Sequence, residues 1–107
     1  MFETFSLLPG VSLHCRRDTR FKQGCLSLHW VTPMQENTVS QNALIPSVLL
    51  RGTRQHPDLR TITARLDDLY GAAVSPMSRR VGDLQAAGIY LSFLDDRFAL
   101  PGDRVLE

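Results

Sequence analysis

The chain has 107 residues, 12 basic against 11 acidic side chains and a formal charge of +1, with 43% of positions hydrophobic and 21% charged. This composition fits one ordinary folded domain, or part of one, and excludes a polyelectrolyte tail or a disordered chain. No apolar run reaches the ~20 residues that span a bilayer, and Met1-Phe2-Glu3-Thr4-Phe5 lacks the basic start of a secretory signal. Two cysteines are too few to staple a fold, so the expectation is a cytoplasmic chain with reduced thiols and no membrane partner.

After the turn signal Pro9-Gly10, Val11-Ser12-Leu13-His14-Cys15 alternates with period two, as a strand with one buried face does. Residues 25–31 alternate again, with Leu26, Leu28 and Trp30 on the apolar side, and the run ends at Pro33, which has no amide to give a ladder. The polar stretch 16–22 between them has roughly the length of a hairpin loop, which predicts a first hairpin made of these two strands. Residues 34–40 read as irregular.

From Ala43 the pattern changes. Leu44 and Val48, and Ile45 and Leu49, share the four-residue spacing of a helix that Gly52 ends. Pro46 lacks an amide and crowds the carbonyl four residues back, so the helix is expected to begin near Pro46 or to kink there. Asp58 then offers an N-cap to an amphipathic helix carrying Leu59, Ile62, Leu66, Leu69 and Tyr70, stopped by Gly71. Residues 72–80 and 85–93 read as two strands around a turn at Gly82-Asp83. Pro76 demotes the first to a sheet edge or a bulge. Asp103 is placed to cap a helix starting at Arg104. This order predicts an α+β fold, an antiparallel sheet with helices packed on one face.

The chemistry-bearing residues are sparse. His14 and His29 lie near Cys15 and Cys25, but neighbours on an alternating strand face opposite sides, so one metal site cannot easily use both His14 and Cys15. Reduced thiols and partly exposed imidazoles are the better reading, with His56 beside Pro57 a turn residue. No nucleophile motif is present. The basic groups Arg16-Arg17 with Arg20 and Lys22, and Arg79-Arg80, read as solvated loops and strand ends, and no nucleic-acid partner is expected.

The succession of Gly10-Val11, Gly52-Thr53 and Leu69-Tyr70-Gly71-Ala72 resembles the N-terminal part of a lobe of the insulinase (pitrilysin) family, the zinc metallopeptidases that include mitochondrial processing peptidase-like proteins. The likeness covers nearly the whole chain, which makes residues 1–107 a single partial domain, one portion of a lobe. In that family the apolar helix carries the inverted zinc motif H-x-x-E-H. Two imidazoles one turn apart hold the metal, and the carboxylate activates its water. Aligned on Arg51-Gly52-Thr53, the first histidine falls on Ala43, the glutamate on Pro46 and the second histidine on Ser47. The resemblance thus implies no catalytic residue, no metal ligand and no cofactor at these positions.

Val74, Ser75, Pro76, Met77 and Ser78 resemble the family's edge strand, which takes up the substrate backbone as an added strand. Leu-Ile-Pro at positions 44–46 is similar to non-catalytic bacterial members that accompany a zinc-bearing paralogue. The implied role is an inactive peptidase-like lobe that contributes to peptide binding, or pairs with an active paralogue, and self-association is a further expectation. Two alternatives remain: a longer zinc-dependent parent with ligands outside this segment, and an interaction module that uses the edge strand.

Overall fold

The computed structural model describes residues 2–106. Its first element is a strand that the alternation rule passes over. β1 (Glu3–Leu8) pairs antiparallel with β2 (Val11–Cys15) across the turn at Pro9-Gly10, placing Phe5 opposite Leu13 and Thr4 opposite His14. Gly10 sits at φ +77°, a left-handed conformation of the kind tight hairpin turns demand. The predicted hairpin between residues 11–15 and 25–31 is therefore not formed. The shorter connection closes at a lower entropic cost than the 16–22 loop, so β2 pairs backward along the chain.

β3 (Gln23–Pro33) pairs along its full length with β5 (Leu84–Leu94), with Leu26 opposite Leu91, Leu28 opposite Ile89 and Trp30 opposite Ala87. β4 (Ala73–Val81) flanks β5 on the other side through the predicted Gly82-Asp83 turn, giving a three-stranded antiparallel sheet in the order β3-β5-β4. The β4–β5 register runs unbroken through Pro76, so β4 is an edge strand without a bulge there.

α1 (Val39–Leu49) begins earlier than predicted and contains Pro46 in its interior. Packing overrides propensity here. Pro46 is fully buried, and the helix lies against β4 and β5, where the buried Gln85 donates from Nε2 to the Val39 carbonyl at 2.9 Å. Burial of the ring and anchoring of the first turn offset the amide that proline removes. α2 (Leu59–Asp68) begins as its sequence predicts. Thr61 donates its amide to Asp58 Oδ1 at 2.8 Å, and the Asp58 amide donates back to Thr61 Oγ1, a reciprocal capping box. That amide bond, with the Thr61 hydroxyl, holds the Asp58 carboxyl below its ordinary range.

The helix predicted from Arg104 does not form. Asp103 instead accepts the hydroxyl of Tyr70, the same oxygen accepts the Leu100 amide at 2.9 Å, and the Val105 amide donates to Asp96 Oδ1 at 2.7 Å. These long-range bonds hold the end of the chain against the exit of α2, so the candidate cap is spent on tertiary contacts.

The helices lie on the sheet face that carries Gln85, Ala87 and Val74. Little of that sheet is fully enclosed: Ala86 and Ala87 in β5 are buried, and Ala72 and Val105 are buried near the other end of the sheet. The chain exposes 8730 Å², roughly 2,700 Å² more than the ~6,000 Å² of a compact monomer of 12.0 kDa. Its radius of gyration, 16.0 Å, likewise exceeds the ~13 Å of a compact chain of this length. Large apolar side chains are exposed along the whole chain, among them Leu26 and Leu28 on β3, Leu44 and Val48 on α1, and Phe5, Leu8 and Val11 on the β1–β2 hairpin.

Candidate functional site

Two elements carry the residues singled out by sequence, α1 and β4, and they pack against each other. Ala43, Pro46 and Ser47 recur at helical spacing on α1. Ala43 is half-buried, Pro46 is enclosed and Ser47 is exposed. A methyl group, a pyrrolidine ring and a hydroxyl offer no imidazole and no carboxylate, so these three residues do not fit a zinc ion. Among the described residues, no three His, Cys, Asp or Glu side chains cluster as a metal centre requires.

The histidines are held apart by the topology. His14 sits on the β1–β2 hairpin, with Nδ1 3.0 Å from Thr4 Oγ1 and Nε2 3.3 Å from Ser12 Oγ. His29 belongs to the separate three-stranded sheet. His56 closes a turn as expected, donating its amide to Thr53 Oγ1 at 2.9 Å and accepting the Thr53 amide at 2.7 Å.

β4 offers a different kind of site. One side of its backbone is engaged by β5, and among the described residues no strand pairs with the other. Val74 and Met77 are half-buried, while Ser75, Pro76 and Ser78 are exposed. Val74 also lines a cavity of about 180 Å³, walled by Leu49 and Leu50 at the end of α1 and by Ile62, Arg65 and Leu66 of α2. An open strand edge beside an apolar recess matches what extended-peptide recognition requires: backbone bonds for affinity and a pocket for an alternate side chain. Sequence reading found the edge through Pro76 but missed the recess, because residues from three elements build it and no local spacing announces it.

Several of the basic side chains are engaged locally. Asp18 is bridged by Arg20, with Nη2 at 2.6 Å and Nε at 2.9 Å, and this guanidinium lowers the Asp18 carboxyl to about 2. Arg97 pairs with Asp95 at 3.0 Å and reaches the carbonyls of Thr19 and Phe21, pinning the loop that leads into β3. Arg80 donates to the Gly82 carbonyl at 2.8 Å, at the β4–β5 turn.

No family model matches the chain. Over 98 residues, 92% of this chain, it is 30% identical to the probable inactive metalloprotease YmfF of Bacillus subtilis (strain 168). The two are distant homologues. In fold, the chain superimposes with a TM-score of 0.90 over 97% of its length on the crystal structure of a conserved protein from Enterococcus faecalis V583, at 22% identity. It spans about a quarter of each, 23% of the first and 24% of the second. The first likeness ties the chain to a metalloprotease-like protein named inactive, and the second bears on the fold alone.

Proposed function

We propose that this chain is a catalytically inactive lobe of the insulinase type, which helps bind extended peptides and does so in a complex with an active zinc metallopeptidase paralogue. The observation that carries the reading is the composition of α1: Ala43, Pro46 and Ser47 stand where the resemblance puts two imidazoles and a carboxylate. None of the three binds zinc as histidine does or takes a proton from water near neutral pH. Pro46 is moreover enclosed against the rest of the fold, so α1 is built around the ring. Homology to a relative named inactive supports the same reading.

On this reading β4 does the binding. A peptide laid antiparallel or parallel along its free side bonds to the outward amides and carbonyls, and its alternate side chains fall beside Val74, where the apolar recess opens. Pro76 supplies a carbonyl but no amide, which favours brief docking over permanent pairing.

Elemental analysis of the purified chain, together with a cleavage assay on a quenched extended peptide, tests the proposal. Less than a tenth of an equivalent of zinc and no cleavage are expected, with cleavage restored on adding an active insulinase-type paralogue. One tightly held zinc per chain, or chelator-sensitive cleavage by the chain alone, overturns it in favour of a peptidase with ligands elsewhere.

A further inference from the structure

The recess beside Val74 combines two chemistries. Its floor is apolar, formed by Leu49, Ile62, Leu66 and Val74. At about 180 Å³ it has room for one side chain of leucine to phenylalanine size, since an apolar cavity of ~150 Å³ already admits a benzene ring. Arg65 lines the same recess and is exposed. Among the described residues Arg65 forms no ion pair, although Asp67 and Asp68 follow it on α2. The surrounding chain has the same sign. Residues 49–66 hold Arg51, Arg54, Arg60 and Arg65 against a single carboxylate, Asp58, which is engaged by the Thr61 amide at the start of α2. A guanidinium beside an apolar pocket, with no carboxylate of its own, leaves a positive charge for a ligand to meet.

We propose that the recess takes one apolar side chain of an extended peptide, and that Arg65 selects peptides carrying an acidic side chain within about two residues of that anchor. The proposal rests on the reading of β4 as the docking strand and names the class of peptide it prefers. Strand geometry brings the two groups together. Alternate residues of a peptide laid on β4 share one face and lie ~7 Å apart, so an acid one step along from the anchor comes within the span of a long arginine side chain. Apolar pockets alone separate similar side chains poorly, and the unpaired charge adds the selectivity that the floor lacks. A planar guanidinium also matches a carboxylate through two parallel bonds, which an amide of the same shape cannot reproduce.

Fluorescence anisotropy of the full chain with short labelled peptides tests this. Each peptide has a serine and threonine background, a single leucine, and either glutamate or glutamine two residues from it, with the carboxyl terminus amidated or free. Glutamate is expected to tighten binding of the amidated peptide about threefold to fivefold over glutamine, a modest ratio because Arg65 is exposed. Arg65→Gln should bring that ratio near one and Arg65→Lys should keep part of it. Arg60→Gln, which removes a charge outside the recess, should keep most of it. Circular dichroism checks that the variants fold, and raised salt should weaken the glutamate peptide more than the glutamine one. A ratio near one in the parent chain, a ratio that survives Arg65→Gln, or a preference shown only for a free carboxyl terminus overturns the assignment while peptide docking itself stands. Failure of every peptide to bind removes the docking role of β4, and this selectivity with it.

Discussion

β3 and β4 flank the same central strand, yet their sequences meet solvent differently. β4 carries Pro76 within its span and Arg79-Arg80 near its end, whereas β3 shows Leu26 and Leu28 to water over a run free of charge. An edge with a missing donor and terminal charges resists permanent pairing. A long uncharged edge is stable only when covered. One sheet therefore presents two kinds of edge. On the proposed reading the guarded edge beside the Val74 recess takes up peptides, whereas the long uncharged edge of β3 lacks such protection. The difference also separates two physical roles that sequence alternation alone makes look alike.

The comparison breaks most severely at Gly88, which lies opposite His29 of β3 and Met77 of β4. A Cβ at Gly88 would run into the carbonyl and backbone of Leu28, a part of β3 that cannot swing aside like the tip of a side chain. Gly88→Ala is expected to cost about 3 kcal/mol or more, read as a lower urea midpoint. Hydrogen exchange should show protection lost first along β3, with the β4–β5 turn retaining more. An unchanged midpoint would mean that β3 is held loosely.

Much of this layout is legible in the residues themselves. Asp58 and Thr61 announce the start of α2, Gly82-Asp83 announces the β4–β5 turn, and Pro76 marks an edge. Three features are not, each because a distant contact decides it. β1 is hidden because Leu7-Leu8 breaks its alternation, and the register shift between Ser6 and Leu8 absorbs that break. The start of α1 at Val39 depends on Gln85, 46 residues on, and Pro46 is tolerated inside the helix because the fold buries its ring. The bareness of β3 is written in its composition, but its position at an edge emerges only when β5 pairs with both neighbours. For the site, the missing imidazoles and carboxylate on α1 are readable from spacing and resemblance, whereas the recess beside Val74 exists only in three dimensions.

A moderate effect is expected from Pro76→Val, which returns an amide to the guarded edge. The register with Ile89 is already regular, so the stability change should stay within about 1 kcal/mol. Calorimetric titration with an extended apolar peptide should show several-fold tighter binding than the parent chain. Weaker binding would indicate that the proline ring itself is part of the contact, making β4 less a blunted edge than a shaped one.

The smallest effect distinguishes how the two strands are approached. β3 is reached through a loop in which Arg20 holds Asp18; from beyond β5, Arg97, paired with Asp95, reaches the Thr19 and Phe21 carbonyls, and the Asp95 amide donates to the Lys22 carbonyl at 2.8 Å. β4 is reached through Tyr70 and Gly71, both at positive φ, with no carboxylate in the turn itself. Arg20 lowers the Asp18 carboxyl from 3.8 to about 2, and the guanidinium and amide of Arg97 lower Asp95 in the same direction. A carboxylate depressed in the folded state contributes stability that is complete above its unfolded value and is lost as pH falls through the folded one. The Asp18 contribution is therefore whole above about pH 4 and fades toward about pH 2. Because both partners touch solvent, the stability at stake is small. Titration of the Asp18 carboxyl carbon by NMR should give a midpoint near 2, and Arg20→Gln should move it back toward 3.8. Over that interval exchange should quicken at the first residues of β3 before those of β4. If both strands loosen together, the ion pairs are decoration on the loop and the asymmetry between the edges lies wholly in the strands.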